Sequence, residues 1–274
     1  MQTSTTTELT VSKSIIILGS PGTGKTTLAT LLPGAYFLNA DNNIQGPIRW
    51  LKDHKKLPEF YYDDVLHATK SALQTAGCDA SELKDIPDEG VHAIPRRCRY
   101  RYMALLLNKA VADDKVESVI LDSLTSITEI ILDEIRRQAN LPLGDPFGVQ
   151  TTDKPLRIQD WGAFSSLFKN LLFQLMGSGK RIVVIGHIKI DKDELTGQLN
   201  EMINMPGQFA LQISSFFEEC WLLYSEESLV ANKKVTKRMV KTSAGGNQQK
   251  LGLKSAAGVE TSELDLDTFI ASIT

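Results

Sequence analysis

Residues 19–26 read Gly19-Ser20-Pro21-Gly22-Thr23-Gly24-Lys25-Thr26, and this run satisfies the pattern G-x-x-x-x-G-K-[ST] at every fixed position. The chemistry available to such a run is the holding of phosphate. Its glycines let backbone N–H groups turn inward around phosphate oxygens, and the start of a following helix adds a positive dipole. Lys25 is expected to reach the β- and γ-phosphates of a nucleoside triphosphate, and the Thr26 hydroxyl to sit on its magnesium. Thr27 completes the expected nucleotide-binding set. A glycine-rich turn can match the pattern by chance, but this one lies between an apolar run and a helical one, the context that gives it meaning.

Magnesium held this way needs a second ligand at the end of a strand. Asp122 closes the run Val119-Ile120-Leu121 and fits that role, although an aspartate here can also simply cap the next helix. The next residue is Ser123, whereas AAA+ ATPases usually carry Asp-Glu, with the glutamate activating water. A water-activating carboxylate must therefore come from elsewhere in this chain.

These residues need elements to position them. Ile15-Ile16-Ile17-Leu18 is a continuous β-branched run bounded by glycine, which suits a strand buried on both faces. A helix should start at Lys25 and run to Leu32, ended by Pro33-Gly34. Ala35 to Asn39 reads as a second strand, Val116 to Asp122 as a third and Arg181 to Gly186 as a fourth. Between them, helices are expected over 102–111, 127–138 and 161–176. Residues 51–98 are the least legible, with a possible strand at Phe60-Tyr61-Tyr62. Beyond the fourth strand come a polar loop (191–207), a strand at Cys220–Tyr224 and a basic stretch (233–241). Alternation of strands and helices implies an α/β fold with a mostly parallel central sheet and helices on both faces. With no linker rich in Pro, Gly or Ser, residues 12–274 are expected to form one domain behind a flexible tail at 1–11, with 51–98 as a variable insertion.

The order of these segments resembles the RecA-like recombinase core, over about residues 12–256. Four segments carry the likeness: the phosphate loop, Phe37-Leu38-Asn39-Ala40-Asp41, Val119-Ile120-Leu121-Asp122-Ser123, and Val184-Ile185-Gly186-His187. The resemblance implies that Asp41 orients the attacking water, where the family has a glutamate one methylene longer. It implies that His187 senses the γ-phosphate where the family has glutamine. Lys241 then corresponds to basic residues that reach a neighbour's ATP, so a homo-oligomer, filament or ring, is expected. Short single-core bacteriophage proteins of this family look most similar. They imply ATP and Mg2+ as cofactors, single-stranded DNA, and a single-strand annealing or single-strand-binding protein as partners. The process implied is DNA recombination, repair or replication.

Composition bounds these expectations. The chain has 274 residues, 42% of them hydrophobic and 23% charged, and a net charge of −3, so no bulk basic field points to nucleic acid. Local clusters must supply any such contact: Arg96-Arg97-Arg99-Arg101 with Tyr100 and Tyr102, or Lys233-Lys234-Lys237-Arg238-Lys241. Both runs also suit ordinary solvated faces. The loops at 139–160 and 188–207 are the resemblance's DNA-facing loops, yet the second carries Asp191, Asp193, Glu194 and Glu201 beside Lys192. Cys78, Cys98 and Cys220 sit far apart with no metal-ligand spacing, which reads as reduced thiols in a cytoplasmic protein. Two other classes stay open. A small-molecule or nucleotide kinase would use Arg96–Arg101 as a lid, and a non-catalytic switch would bind ATP to hold a shape.

Overall fold

The computed structural model describes residues 13–53, 59–141, 143, 153, 155–192, 194, 197–230, 233–243, 246–254 and 264–265. The expected tail at 1–11 lies outside them, as do Lys154 and Asp193. In chain order the first elements are β1 (Ser14–Gly19), α1 (Lys25–Ala29), β2 (Ala35–Asn39), α2 (Gln45–Asp53), β3 (Tyr61–Asp64), β4 (His67–Ala68) and α3 (Lys70–Thr75). Then come β5 (His92–Ala93), α4 (Arg96–Ala112), β6 (Ser118–Asp122), α5 (Leu124–Gln138) and α6 (Ile158–Met176). The remainder holds β7 (Arg181–Gly186), β8 (Ile188–Lys192), β9 (Leu199–Ile203), α7 (Phe209–Gln212), β10 (Glu219–Val230), β11 (Lys233–Lys241) and β12 (Leu264–Asp265). Among the described residues, no helix is long and apolar enough to cross a membrane.

The chain divides into two compact units: Met1–Ala29 with Arg181–Thr274, and Thr30–Lys180. In the first, β1 is parallel to β7 on one edge and to β10 on the other, and β11 and β12 extend the sheet antiparallel. Every residue of β1 is buried, as its unbroken apolar run requires of a strand covered on both faces. In the second unit β2 pairs in parallel with β3 and with β6, whose Val119-Ile120-Leu121 is buried throughout. Helices α4 and α5 pack on each other, α4 against β2 and α5 against β6. The α/β class with mostly parallel strands is thus observed.

Three elements differ from expectation for identifiable reasons. Helix α4 begins at Arg96, six residues early, because arginines in a first helical turn oppose the dipole and mask the start. Carboxylates compensate: Arg96 binds Asp133 and Asp153, and Arg101 binds Glu82. The polar stretch after β7 contains a hairpin of β8 and β9 rather than a loop only. Its exposed faces leave no apolar alternation to read, since even Ile190 and Leu199 face solvent. Finally, β10 runs far beyond Tyr224, to Val230, paired throughout with β11.

Candidate nucleotide site

The phosphate loop is built from the end of β1. Gly19 has φ near +151°, and a Cβ on it would stand 2.2 Å from the Leu223 carbonyl oxygen of β10. Only glycine lets the chain leave the sheet there. Gly22 and Gly24 also have positive φ, and a Cβ on Gly22 would meet nothing within 4 Å, so the loop's crown is open. The Thr23 hydroxyl donates to the Ser20 carbonyl at 3.0 Å and ties the loop across. Lys25 is 5% exposed, and its Nζ donates to the Gly19 carbonyl at 2.9 Å and the Ser20 carbonyl at 2.8 Å. The loop therefore closes around its own ammonium group, a cradle that fits a triphosphate. Thr26 is half-buried and Thr27 buried just beyond.

Two further side chains of this unit belong to the same region. Leu18 is level with Gly186 across β1 and β7, so His187 emerges at the same strand end as the loop. Its carbonyl accepts from the Asn204 N–H at 2.8 Å, which fixes the start of the hairpin. Arg238 on β11 lies over the loop itself: a Cβ on Gly24 would meet Arg238 Cδ at 3.3 Å and Nε at 3.5 Å. Lys241, three residues on, projects from the opposite face of β11 because strand side chains alternate.

The second unit holds the carboxylates. Asn39 and Asp122 are register partners, and the Ala40 N–H donates to the Asp122 carbonyl at 2.6 Å. Asp41 and Asp122 therefore leave the same end of two paired strands. The turn after β2 is wound by the Asn43 N–H on Asn39 Oδ1 at 3.2 Å, with Asn42 at positive φ. The Ser126 hydroxyl in the first turn of α5 donates to Asp41. Asp122 is 4% exposed, and the Asp122–Ser123 peptide is cis. A polar cavity of about 380 Å³ opens beside Asp41, lined also by Arg96, Arg99, Ser126 and Glu129.

The sequence-derived set thus falls into two groups. Lys25, Thr26, Thr27, His187 and Lys241 lie in the first unit, Asp41 and Asp122 in the second. Sequence reasoning missed Ser126 as Asp41's partner, although its place in the first helical turn after the Asp122 strand was a usable signal. It also weighed Arg238 only as one member of a charged run. The other basic run is largely committed internally. Arg96 bridges two aspartates, which raises its pKa, and Arg101 grips Glu82 and the Gly77 carbonyl. Arg99 is half-buried, and that burial pulls its pKa down, leaving Arg97 as the exposed member. On the hairpin, Asp191, Lys192 and Glu194 are exposed.

A closed glycine loop on a buried strand, with lysine inside it, defines a P-loop nucleotide-binding protein. Residues 12–248 match the family model described as AAA domain, and the chain belongs to that family of P-loop ATPases. It does so with Ser123 where a glutamate usually follows the strand-end aspartate. No curated protein matches the chain. Among solved structures, it is similar to the KaiC-like protein PH0186 from the hyperthermophilic archaeon Pyrococcus horikoshii OT3. That likeness is at 13% identity and TM-score 0.37, over 84% of this chain and 77% of the other. At that level it says nothing about ligand or assembly here.

Proposed function

We propose that this chain is a RecA-like ATPase that binds ATP with Mg2+ and hydrolyses it as a homo-oligomer, acting on single-stranded DNA in recombination, repair or replication. The observation that carries the reading is Lys25, buried inside a loop whose glycines have the required backbone. In this reading the loop N–H groups and Lys25 hold the phosphates, and Thr26 and Asp122 hold the metal. Magnesium, when bound, neutralises charge that develops on the phosphoryl oxygens. Asp41, oriented by Ser126, positions water and takes its proton, while His187 responds to the γ-phosphate. Lys241 reaches a neighbouring copy. A bacteriophage origin and an annealing or single-strand-binding partner belong to the same proposal. ATPase activity with and without single-stranded DNA, with particle size measured in both states, tests it. No stimulation and no assembly would remove the DNA and oligomer parts.

Three predictions separate the roles. Asp41→Ala is expected to lower turnover by about 10²-fold while ATP binding, read by a fluorescent analogue, is retained. Unchanged turnover would remove Asp41 from the chemistry. Arg238→Ala is expected to weaken turnover by about tenfold or more through lost contact with phosphate charge in its own chain. Mixing it with Lys25→Ala chains should restore nothing, because every chain then still carries one defect in its own site. Lys241→Ala mixed with Lys25→Ala should recover activity, since a Lys241→Ala chain keeps an intact loop and its Lys25→Ala neighbour supplies Lys241.

A second reading is an ATP-binding switch with negligible turnover. The Asp41–Ser126 hydrogen bond favours it, because a carboxylate already engaged is a poorer base. Tight ATP binding without phosphate release, whatever DNA is added, would support it. The kinase reading needs Arg96–Arg101 as a lid, and Arg96 and Arg101 already hold carboxylates.

A further inference from the structure

The three cysteines are scattered in sequence, but the fold brings two of them together with a carboxylate in the second unit. Cys78 sits in the turn that ends α3, its N–H bonded to the Leu73 carbonyl at 3.0 Å. Glu82 follows one turn later, where its Oε2 accepts from the Asp79 N–H at 2.9 Å. Cys98 lies in the first turn of α4, and α3 packs on α4. As a result one oxygen of Glu82 and both sulfurs lie within 4.8 Å of one another. Cys78 is 7% exposed and Cys98 wholly buried.

We propose that Cys78, Cys98 and Glu82 bind one zinc ion, a site separate in chemistry from the magnesium of the phosphate loop. The two thiolates are soft donors that select zinc over magnesium or calcium, and zinc also accepts a carboxylate. With Zn–S bonds of about 2.3 Å, one ion would draw the two sulfurs to about 4 Å of each other. Three protein ligands leave a fourth tetrahedral position for water.

The surrounding charge fits. Arg101 Nη2 donates to both Glu82 oxygens, at 2.7 and 2.8 Å, and lies 3.9 Å from Cys98 Sγ. Two thiolates and Glu82 carry three negative charges, Arg101 returns one, and a divalent ion balances the remainder. Without metal, protonated thiols leave the Arg101–Glu82 pair neutral, so both states tolerate burial. With metal, Arg101 keeps one Glu82 oxygen and orients the other, as outer-shell partners do. The hydrogen bond from Cys98 and the charge of Arg101 lower the Cys78 pKa against the opposing effect of burial. Cys98 is raised by the same bond and by burial. Metal uptake releases both thiol protons.

The test uses the full chain, reduced and stripped of metal with a chelator, titrated with cobalt(II) as a spectroscopic stand-in. One equivalent should give thiolate-to-cobalt charge-transfer absorption, bleached by zinc, and affinity should fall as pH is lowered. Cys78→Ser and Cys98→Ser should each lose the band, Glu82→Gln should weaken binding by at least about tenfold, and Cys220→Ser should change nothing. Added zinc should raise the thermal midpoint of the parent chain and not of Cys78→Ser. The proposal is overturned if the reduced protein gives no cobalt–thiolate band, or if the band survives in Cys78→Ser. A Cys78–Cys98 disulfide in protein purified without reductant, with no cobalt band after reduction, would also overturn it and assign the pair to redox chemistry.

Discussion

Lys25→Ala is expected to lower ATP turnover by about 10²–10³-fold, the largest catalytic effect of any single substitution in this chain. The ammonium sits inside the loop on the Gly19 and Ser20 carbonyls, already desolvated and placed where phosphate charge must arrive. A preplaced positive charge in such a water-poor cradle needs no reorganisation as charge develops, and nothing else in the loop carries one. Arg238, which lies over Gly24, approaches from outside the loop. Lys25→Arg should not rescue, because the planar fork is larger than the point charge the closed loop accommodates. The fold should survive, since the loss includes two hydrogen bonds to loop carbonyls, about 1 kcal/mol each. Phosphate release, measured beside urea denaturation of the same variant, checks both halves. Turnover equal to the parent's would disprove the loop's role.

The largest structural effect is expected from Gly19→Ala. A methyl there would stand 2.2 Å from the Leu223 carbonyl oxygen and 2.9 Å from Thr23 Oγ1. Leu223 is backbone in β10, held in register against β1 from Ile15 through Gly19, so it cannot swing aside. Its opposite edge is paired with β11 through Val240. Adding the unfavourable φ to the collision, destabilisation of about 3 kcal/mol or more is expected. Gly22→Ala is the control. Its φ is also positive, but the added methyl meets open space, so the cost should stay near 1 kcal/mol. A urea midpoint for Gly19→Ala close to that of Gly22→Ala would contradict the steric account.

What the sequence made legible follows from how each feature is encoded. Buried parallel strands announce themselves as unbroken apolar runs, and β1, β2 and β7 lie where such runs stand. The phosphate loop is a contiguous motif whose glycines have a local backbone reason, so it too was readable. Contacts made across long sequence separations were not. Ser126 on Asp41 and the meeting of Cys78 with Cys98 depend on helix packing that no local pattern encodes. The ion pairs of the α4 arginines were not legible either, because a basic run looks the same whether its partners are phosphates or distant carboxylates. Asp133 and Asp153, which hold Arg96, lie on other segments.

The division of the chain has a consequence for the order in which it is made. Residues 30–180 form one uninterrupted stretch, so β2 can pair with both β3 and β6 as soon as β6 leaves the ribosome. The unit with the phosphate loop is assembled from both ends of the sequence. The Lys13 N–H is bonded to Glu218 Oε2 across 205 residues, and β1 has no partner until β7 and β10 are synthesised. During synthesis, which adds about 5–20 residues per second, the nascent Ile15-Ile16-Ile17-Leu18 segment waits as an unpaired apolar strand. Chaperone demand should therefore fall on the first twenty residues rather than on the middle of the chain, and the phosphate loop should be the last feature to mature.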